Sequence, residues 1–410
     1  MLDKDYERLR TLALKKAEYA HSSDNDEILK KWHDQSVGKR GTPTVRLLCS
    51  NFVNEMIYPY MQCVEETARK LEFDLLFSMS GRELFNDDTP VTDTFEVSLR
   101  MSASPFGTAP DITQAEGENA KGFHINPVIN DLKDDFDKLL NGSFSVDFDG
   151  TKKYIDVANE IFGDILPAKM VMGSLTGALT NPLVHLMGME NYYCAMYDYS
   201  DELHKAMDMA TKIYENLYDY LENNKLLLPT KDTCPLCQES FCFNSELPTD
   251  AAIKTTDCWG FLESQETTAV SPQTFGEFVF PYQDRLVKRF GLLSYGCCER
   301  VDAIFPDYLS KWKNLRKLSV SPFNNEKLVG EYLRDTNIVY YSKPRAEYLT
   351  IEGPLDENAI CEYFKTIAEN ASGCILEVAQ REAGTLFREP NRGRRYVELA
   401  KNTINKYWKP

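Results

Sequence analysis

The sequence predicts an α/β fold, a (β/α)8 TIM barrel over residues 93–410 behind an N-terminal helical extension over residues 1–92. Three observations predict it. From residue 93 onward, short apolar runs alternate with helically periodic segments, the pattern of a parallel sheet with helical crossovers. About eight such units fit that stretch, as in a barrel with insertions. No Gly-rich phosphate fingerprint follows the first strand, so a doubly wound open sheet is the weaker alternative.

The N-terminal stretch reads as helical. Leu9, Leu12, Ala13, Lys16 and Ala20 follow helical spacing, and Asp3 is placed to cap the first helix. A second amphipathic segment covers 27–35, and the loop VGKRGTP (37–43) breaks the chain. A third helix is expected over 52–71, kinked or split at Pro59. NDDTPVTD (86–93) is a loop by composition. FEVSLRM (95–101), GFHINPV (122–128) and ILPAKMVM (165–172) read as strands, and the last runs through GSLTGALTNP into a helix from about 183. Residues 200–223 form a long periodic helix with Asp201 and Glu202 in its first turn. LLLPTKDTCPLCQESFCFNSELPTDA (226–251) has little periodicity. Strands are then expected at 255–261, 292–295, 315–320, 338–341 and 374–379. They alternate with helices at 272–290, 303–312, 325–334, 355–371 and 392–407.

Composition narrows the function. The chain carries 63 Asp+Glu against 46 Lys+Arg, a net charge of −17. That balance argues against a nucleic-acid backbone and against an anionic membrane as partner. No run of about 18 apolar residues is present, and the charged N-terminus lacks the apolar core of a signal peptide, so a cytoplasmic location is expected. The 11 cysteines are an odd number in a long chain and are expected to stay thiols.

In a barrel the active site lies at the C-terminal ends of the strands, which turns strand-end residues into candidates. Cys297, Cys298 and Glu299 leave the strand LLSY together. Two thiols and a carboxylate can hold Zn²⁺, and Glu377, near the end of the last strand, is the expected third ligand beside Cys297 and Cys298. Zinc held in this way ionises an incoming thiol at neutral pH. The alternative is that the two cysteines are small half-buried hydrophobes. His124 at a strand end is a candidate base or ligand, or a packed histidine. Lys343, in SKP, is a candidate for binding a substrate anion, or a salt-bridged lysine. Glu299 completes the candidate catalytic group. The GSLTG turn, with Ser174 and Thr176, can hold an anion at a helix start or serve as a tight connection. Asp257, Ser321 and Gln380 are the remaining substrate-binding candidates. Cys234-Pro-Leu-Cys237, with Cys242 and Cys258, has the poor spacing of loop thiols rather than that of a structural zinc site.

The segment AKMVMGSLTGALTNPLVHLMGMENYYCAMYDYSDELHKAMDMA (168–210) resembles the G-S-x-x-G-P…G-x-E…D-x-x-x-x-P-E-x-x-H region of the uroporphyrinogen decarboxylase superfamily. SPQTFGEFVFPYQDRLVKRFG (271–291) resembles the helix before one of its strands, and GCCER, SVSPF and SKP fall where its later strands end. The Arg-rich R-Q-A-G-R stretch of true uroporphyrinogen decarboxylases has no counterpart here. The resemblance therefore points to the corrinoid-dependent methyltransferase branch, such as methylcobamide:coenzyme M methyltransferases. That branch binds zinc through His-x-Cys at one strand end and a Cys at the last. Here His-x-Cys falls on Tyr295-Gly296-Cys297, Cys374 opens its strand rather than closing it, and Glu377 or Gln380 lies nearer the last ligand position. Cobalamin-independent methionine synthase, a related barrel, includes Glu among its zinc ligands.

The resemblance implies an enzyme that moves a methyl group between a methylcorrinoid, carried on a separate corrinoid protein, and a thiol or other small nucleophile activated by zinc. A carboxy-lyase acting on another substrate and a non-catalytic corrinoid- or tetrapyrrole-binding barrel are the alternatives.

Overall fold

A computed structural model describes residues 1–116, 122–250 and 252–410. Its centre is a parallel sheet. The strands that matter are β1 (Thr44–Leu47), β2 (Phe95–Ser98), β3 (Ala168–Val171), β4 (Leu175–Thr176), β5 (Trp259–Leu262), β6 (Leu292–Tyr295), β7 (Leu315–Val320), β8 (Val339–Ser342) and β9 (Ile375–Gln380). Seven of them form one sheet in the order β1-β9-β8-β7-β6-β5-β4. All its pairings are parallel, with Thr44 opposite Glu377, Tyr341 opposite Glu377 and Tyr295 opposite Leu318. Strands β5, β6 and β8 are buried along their whole length, as expected of strands covered on both faces.

Two expectations are corrected. The closed TIM barrel is not seen: β2 pairs with β3 in a separate parallel pair, and among the described strands nothing bonds β1 to β2. The N-terminal stretch is not all helix, because TVRL at 44–47 enters the main sheet beside the last strand. Four residues between Pro43 and a polar turn carry too little pattern to announce a strand.

Helices fall largely where periodicity places them. Asp3–Ala20, Ser23–Ser36, Ser200–Asn223, Glu326–Leu333, Glu357–Asn370 and Pro390–Tyr407 are all formed. The expected 52–71 helix is instead two short turns followed by Glu66–Ser80. The 272–290 helix is interrupted at Val279, since Pro281 has no N–H for the bond to residue 277. Pro306 likewise reduces 303–312 to the short turns Val301–Ile304 and Leu309–Lys311.

The aperiodic 226–250 stretch holds the least expected element. Pro235–Leu236 and Ser240–Phe241 form a small antiparallel hairpin. Bonds tie it to side chains of four sheet strands: Arg46 on β1, Lys317 on β7, Tyr341 on β8 and Glu377 on β9. The sheet therefore curves around this hairpin. Below it, Trp32 on Ser23–Ser36 stacks on Phe243 at 5.5 Å and meets Phe241 edge-on at 5.1 Å. No helix among the described residues is long and apolar enough to cross a membrane.

Candidate functional site

The site is assembled where β5, β6, β7 and β8 end. Gly296, with φ of 101°, lets the chain turn sharply out of β6. The turn places Cys297 and Cys298 side by side, with their sulfurs 3.7 Å apart. Glu299 folds back beneath them. Its carboxylate accepts the Cys297 N–H at 2.6 Å and the Ser264 N–H at 2.9 Å, tying β6 to β5. Ser319 Oγ and Ser321 Oγ, at the end of β7, donate to the carbonyls of Cys297 and Cys298, each at 3.1 Å.

Lys343 follows β8 and is buried. Its Nζ donates to Gln238 Oε1 at 2.7 Å and to the Cys297 carbonyl at 3.3 Å. Gln238 also accepts from Arg381 Nη1 at 2.5 Å, while Arg381 Nε pairs with Glu239 at 2.8 Å. Gln238 and Glu239 are the hairpin tip, and both hold left-handed backbone, with φ of 65° and 62°. Such geometry costs a non-glycine residue about 1–2 kcal/mol. The bonds from Lys343, Arg381 and Ser50 to these two side chains hold it in place.

The electrostatics separate the two thiols. Cys297 is pushed well up, by its contact with Cys298 and by burial. Cys298 is drawn below the ordinary 9.0, first by its contact with Cys297 and then by the Lys343 charge, against the cost of burial. Burial lowers Lys343, and Cys297 works against that shift. The arrangement is a thiol whose ionisation is favoured by a neighbouring thiol and a buried cation.

Glu263, one residue past β5, is almost fully buried and lies near Glu266 and Glu299. Burial, and then those two carboxylates, push it well above the usual carboxylate range. A folded-state pKa above the ordinary 4.5 means that the unfolded chain ionises first as pH rises. Stability contributed by this group is therefore present below about pH 4.5 and lost as pH climbs towards the folded value. Glu263→Gln is expected to remove that slope and to gain roughly 1–2 kcal/mol at pH 7. Urea denaturation at pH 4.5 and pH 7 reads both effects, and equal stabilities at pH 7 would refute the assignment.

The expected zinc set does not converge. Glu377 turns into the sheet's interior, with one oxygen on Ser240 Oγ and the other on Lys317 Nζ, each at 2.6 Å. Among the described residues no group of three His, Cys, Asp or Glu side chains is placed to hold a metal ion. Cys297 and Cys298 offer two sulfurs, and Glu377 is not a third ligand beside them.

Other candidates are also displaced. His124 lies on Phe123–Asn126, an exposed strand paired antiparallel with Asp111–Gln114 and not part of the parallel sheet. Asp257 ends the turn before β5, at the opposite end from the thiols, and accepts the Lys254 N–H. Ser174 Oγ accepts the Cys237 N–H, and the N–H groups of Ser174 and Gly177 are taken by Pro235 and Phe261 carbonyls, so the GSLTG turn is a connection rather than an anion cradle. Thr176 is exposed on β4, and its carbonyl accepts the Tyr218 hydroxyl. Gln380 is buried between the Tyr396 hydroxyl and the Pro344 carbonyl. Cys234 and Cys242 face each other across the hairpin, buried with Trp259 and Leu292, and Cys258 is buried just before β5. Gln238, Arg381 and Glu263 were not among the sequence candidates. The tip Cys-Gln-Glu lacks the Gly or Asn that would signal a left-handed turn.

No family model matches this chain, and no curated protein matches it. Among solved structures it is similar to a methyltransferase from Methanosarcina mazei, at 13% identity and a TM-score of 0.51, covering 92% of this chain and 99% of that one. The two chains share their overall fold along almost their full lengths.

Proposed function

We propose that this protein is a methyltransferase, moving a methyl group between a corrinoid presented by a separate carrier protein and a small thiol. The shared fold supports the reading, and its parallel strands run as those of an eight-stranded barrel opened between β1 and β2. The observation that carries it is the Cys297–Cys298 pair over Lys343 at the strand ends. Cys298 is half-buried at the end of the sheet, and its carbonyl accepts from Ser321 Oγ at 3.1 Å, two residues before the exposed Phe323.

When bound, a methylcorrinoid supplies the methyl group. The chain's own residues prepare the acceptor. Cys298 thiolate takes the proton of the incoming thiol and becomes Cys298 thiol, leaving the acceptor as a thiolate. The acceptor sulfur then forms the S–C bond as the donor–methyl bond breaks, and that bond's electron pair stays with the donor. Cys297 and Lys343 stabilise the Cys298 charge, and Glu299 fixes the turn that presents both sulfurs.

The test uses free methylcobalamin as donor and 2-mercaptoethanol as acceptor, followed by absorbance. Wild type is expected to accelerate transfer, with a rate that rises with pH through a midpoint below 9.0. Cys298→Ser is expected to lose about 100-fold or more. Cys297→Ala is expected to move the midpoint up, because Cys298 loses the neighbouring thiol that favours its ionisation. No acceleration by wild type, or full activity in Cys298→Ser, would overturn the proposal.

A further inference from the structure

Between β1 and β2, where the sheet is left unpaired, lies a cavity of about 490 Å³. Cys297, Cys298, Glu299 and Lys343 do not line it, so it is separate from the thiol site. Its size is that of a small-molecule site. Phe77, Phe95, Val97, Val171 and Phe241 supply an apolar wall.

The charged lining is unevenly satisfied. Glu96 is paired with Lys169 at 3.3 Å and accepts from Thr233. Glu239 is paired with Arg381 and accepts from Ser50. Asp74 accepts the Tyr154 hydroxyl at 2.8 Å and is pushed by burial towards its neutral form.

Two cations on the same cavity have no such direct ion pair. Lys16 is 3% exposed, and its Nζ donates only to the Thr94 carbonyl at 2.9 Å and to Thr92 Oγ1 at 3.3 Å. Arg46 is 5% exposed and donates to the Glu239 carbonyl at 2.5 Å and to Thr89 Oγ1 at 3.2 Å. Asp87 acts on Arg46 from a distance, but its oxygens are spent on the N–H groups of Leu47 and Thr89. Glu96, Asp93 and Asp74 act on Lys16 from a distance, and the Arg46 guanidinium lies 4.3 Å over the Phe241 ring, but among the described residues neither cation is in direct ion-pair contact with a carboxylate. A buried cation with no direct ion pair is costly, and two of them facing one cavity favour an outside anion that would offset that cost.

We propose that this cavity binds a small monocarboxylate with an apolar body, its carboxylate received by Lys16 and Arg46 and its body lying on the phenylalanine wall. Asp74 and Glu96 in the same lining disfavour a dianion such as a phosphate monoester.

Calorimetry on the full chain tests this with 4-phenylbutyrate as probe, and with its neutral amide and 3-phenylpropyl phosphate as comparisons. One-to-one saturable binding of 4-phenylbutyrate is expected, with the amide and the phosphate each at least tenfold weaker. Lys16→Met and Arg46→Gln are each expected to weaken it tenfold or more, and Cys298→Ser to leave it unchanged. Because Lys16 lacks a direct ion-pair partner, ligand-free Lys16→Met is expected to resist urea at least as well as wild type. Absent binding, equal binding of the amide, tighter binding of the phosphate, or a Lys16→Met chain that is destabilised or keeps full affinity would each overturn the proposal.

Discussion

Lys317→Met is expected to destabilise the protein by about 3–5 kcal/mol, read as a lower urea midpoint at pH 7. Lys317 and Glu377 side chains are almost wholly buried and lie 2.6 Å apart. Ser240 closes a triangle, donating to Glu377 and accepting from Lys317, each at 2.6 Å. Trp32 and Tyr341 rings flank the ammonium at 5.7 and 5.8 Å. With Met at 317, the Glu377 charge stays in the interior with one serine for company, and that is the expensive state. A double variant, Lys317→Met with Glu377→Leu, removes both charges and is expected to recover most of the loss, because replacing a whole buried pair by apolar groups is often near neutral. A single variant as stable as wild type would show that the pair does not hold the hairpin to β7 and β9. The same triangle explains why Glu377 is not a metal ligand beside the two thiols, since both its oxygens are held towards the hairpin and β7.

That ion pair also marks how much could be read from the sequence. The runs LLSY, LRKLSV and CILEVA announce strands because a parallel strand buried on both faces needs a continuous apolar stretch, and the polar residues just beyond them announce the sheet's open end. Cys297, Cys298, Glu299 and Lys343 were found in this way, from local pattern alone, and the structure brings them together. Glu377 sits on the same kind of strand, but which face it serves depends on a hairpin 137 residues away. That hairpin has no periodicity, and its turn is built from Gln238 and Glu239, held left-handed by distant cations rather than by their own preference. Long-range compensation of that kind leaves no local trace. The gap between β1 and β2 is similarly silent, because a sequence records strands and not which neighbours they lack.

Gly260→Ala is expected to cost about 3 kcal/mol, at the upper end for overpacking a core. Gly260 lies inside β5, between Leu293 on β6 and Leu175 on β4. A Cβ there would lie 2.0 Å from Phe290 Cδ2 and 2.2 Å from Phe290 Cγ. The obstacle is the body of a rigid ring, itself buried and set edge-on against Tyr218 at 5.5 Å, so it has nowhere to swing. Either the ring moves into Tyr218 or β5 shifts outward, and a shift of β5 carries Glu263 and Ser264 with it, loosening the Ser264 N–H bond to Glu299. The loss should therefore appear twice, as a lower urea midpoint and as weaker thiolate character at Cys298, read by slower alkylation with iodoacetamide at pH 7. Pairing Gly260→Ala with Phe290→Leu frees the space and is expected to restore the alkylation rate, even though the smaller side chain has its own packing cost. If Gly260→Ala left both stability and alkylation at the wild-type level, the close approach of Phe290 to β5 would not be what fixes the strand beneath the thiol site.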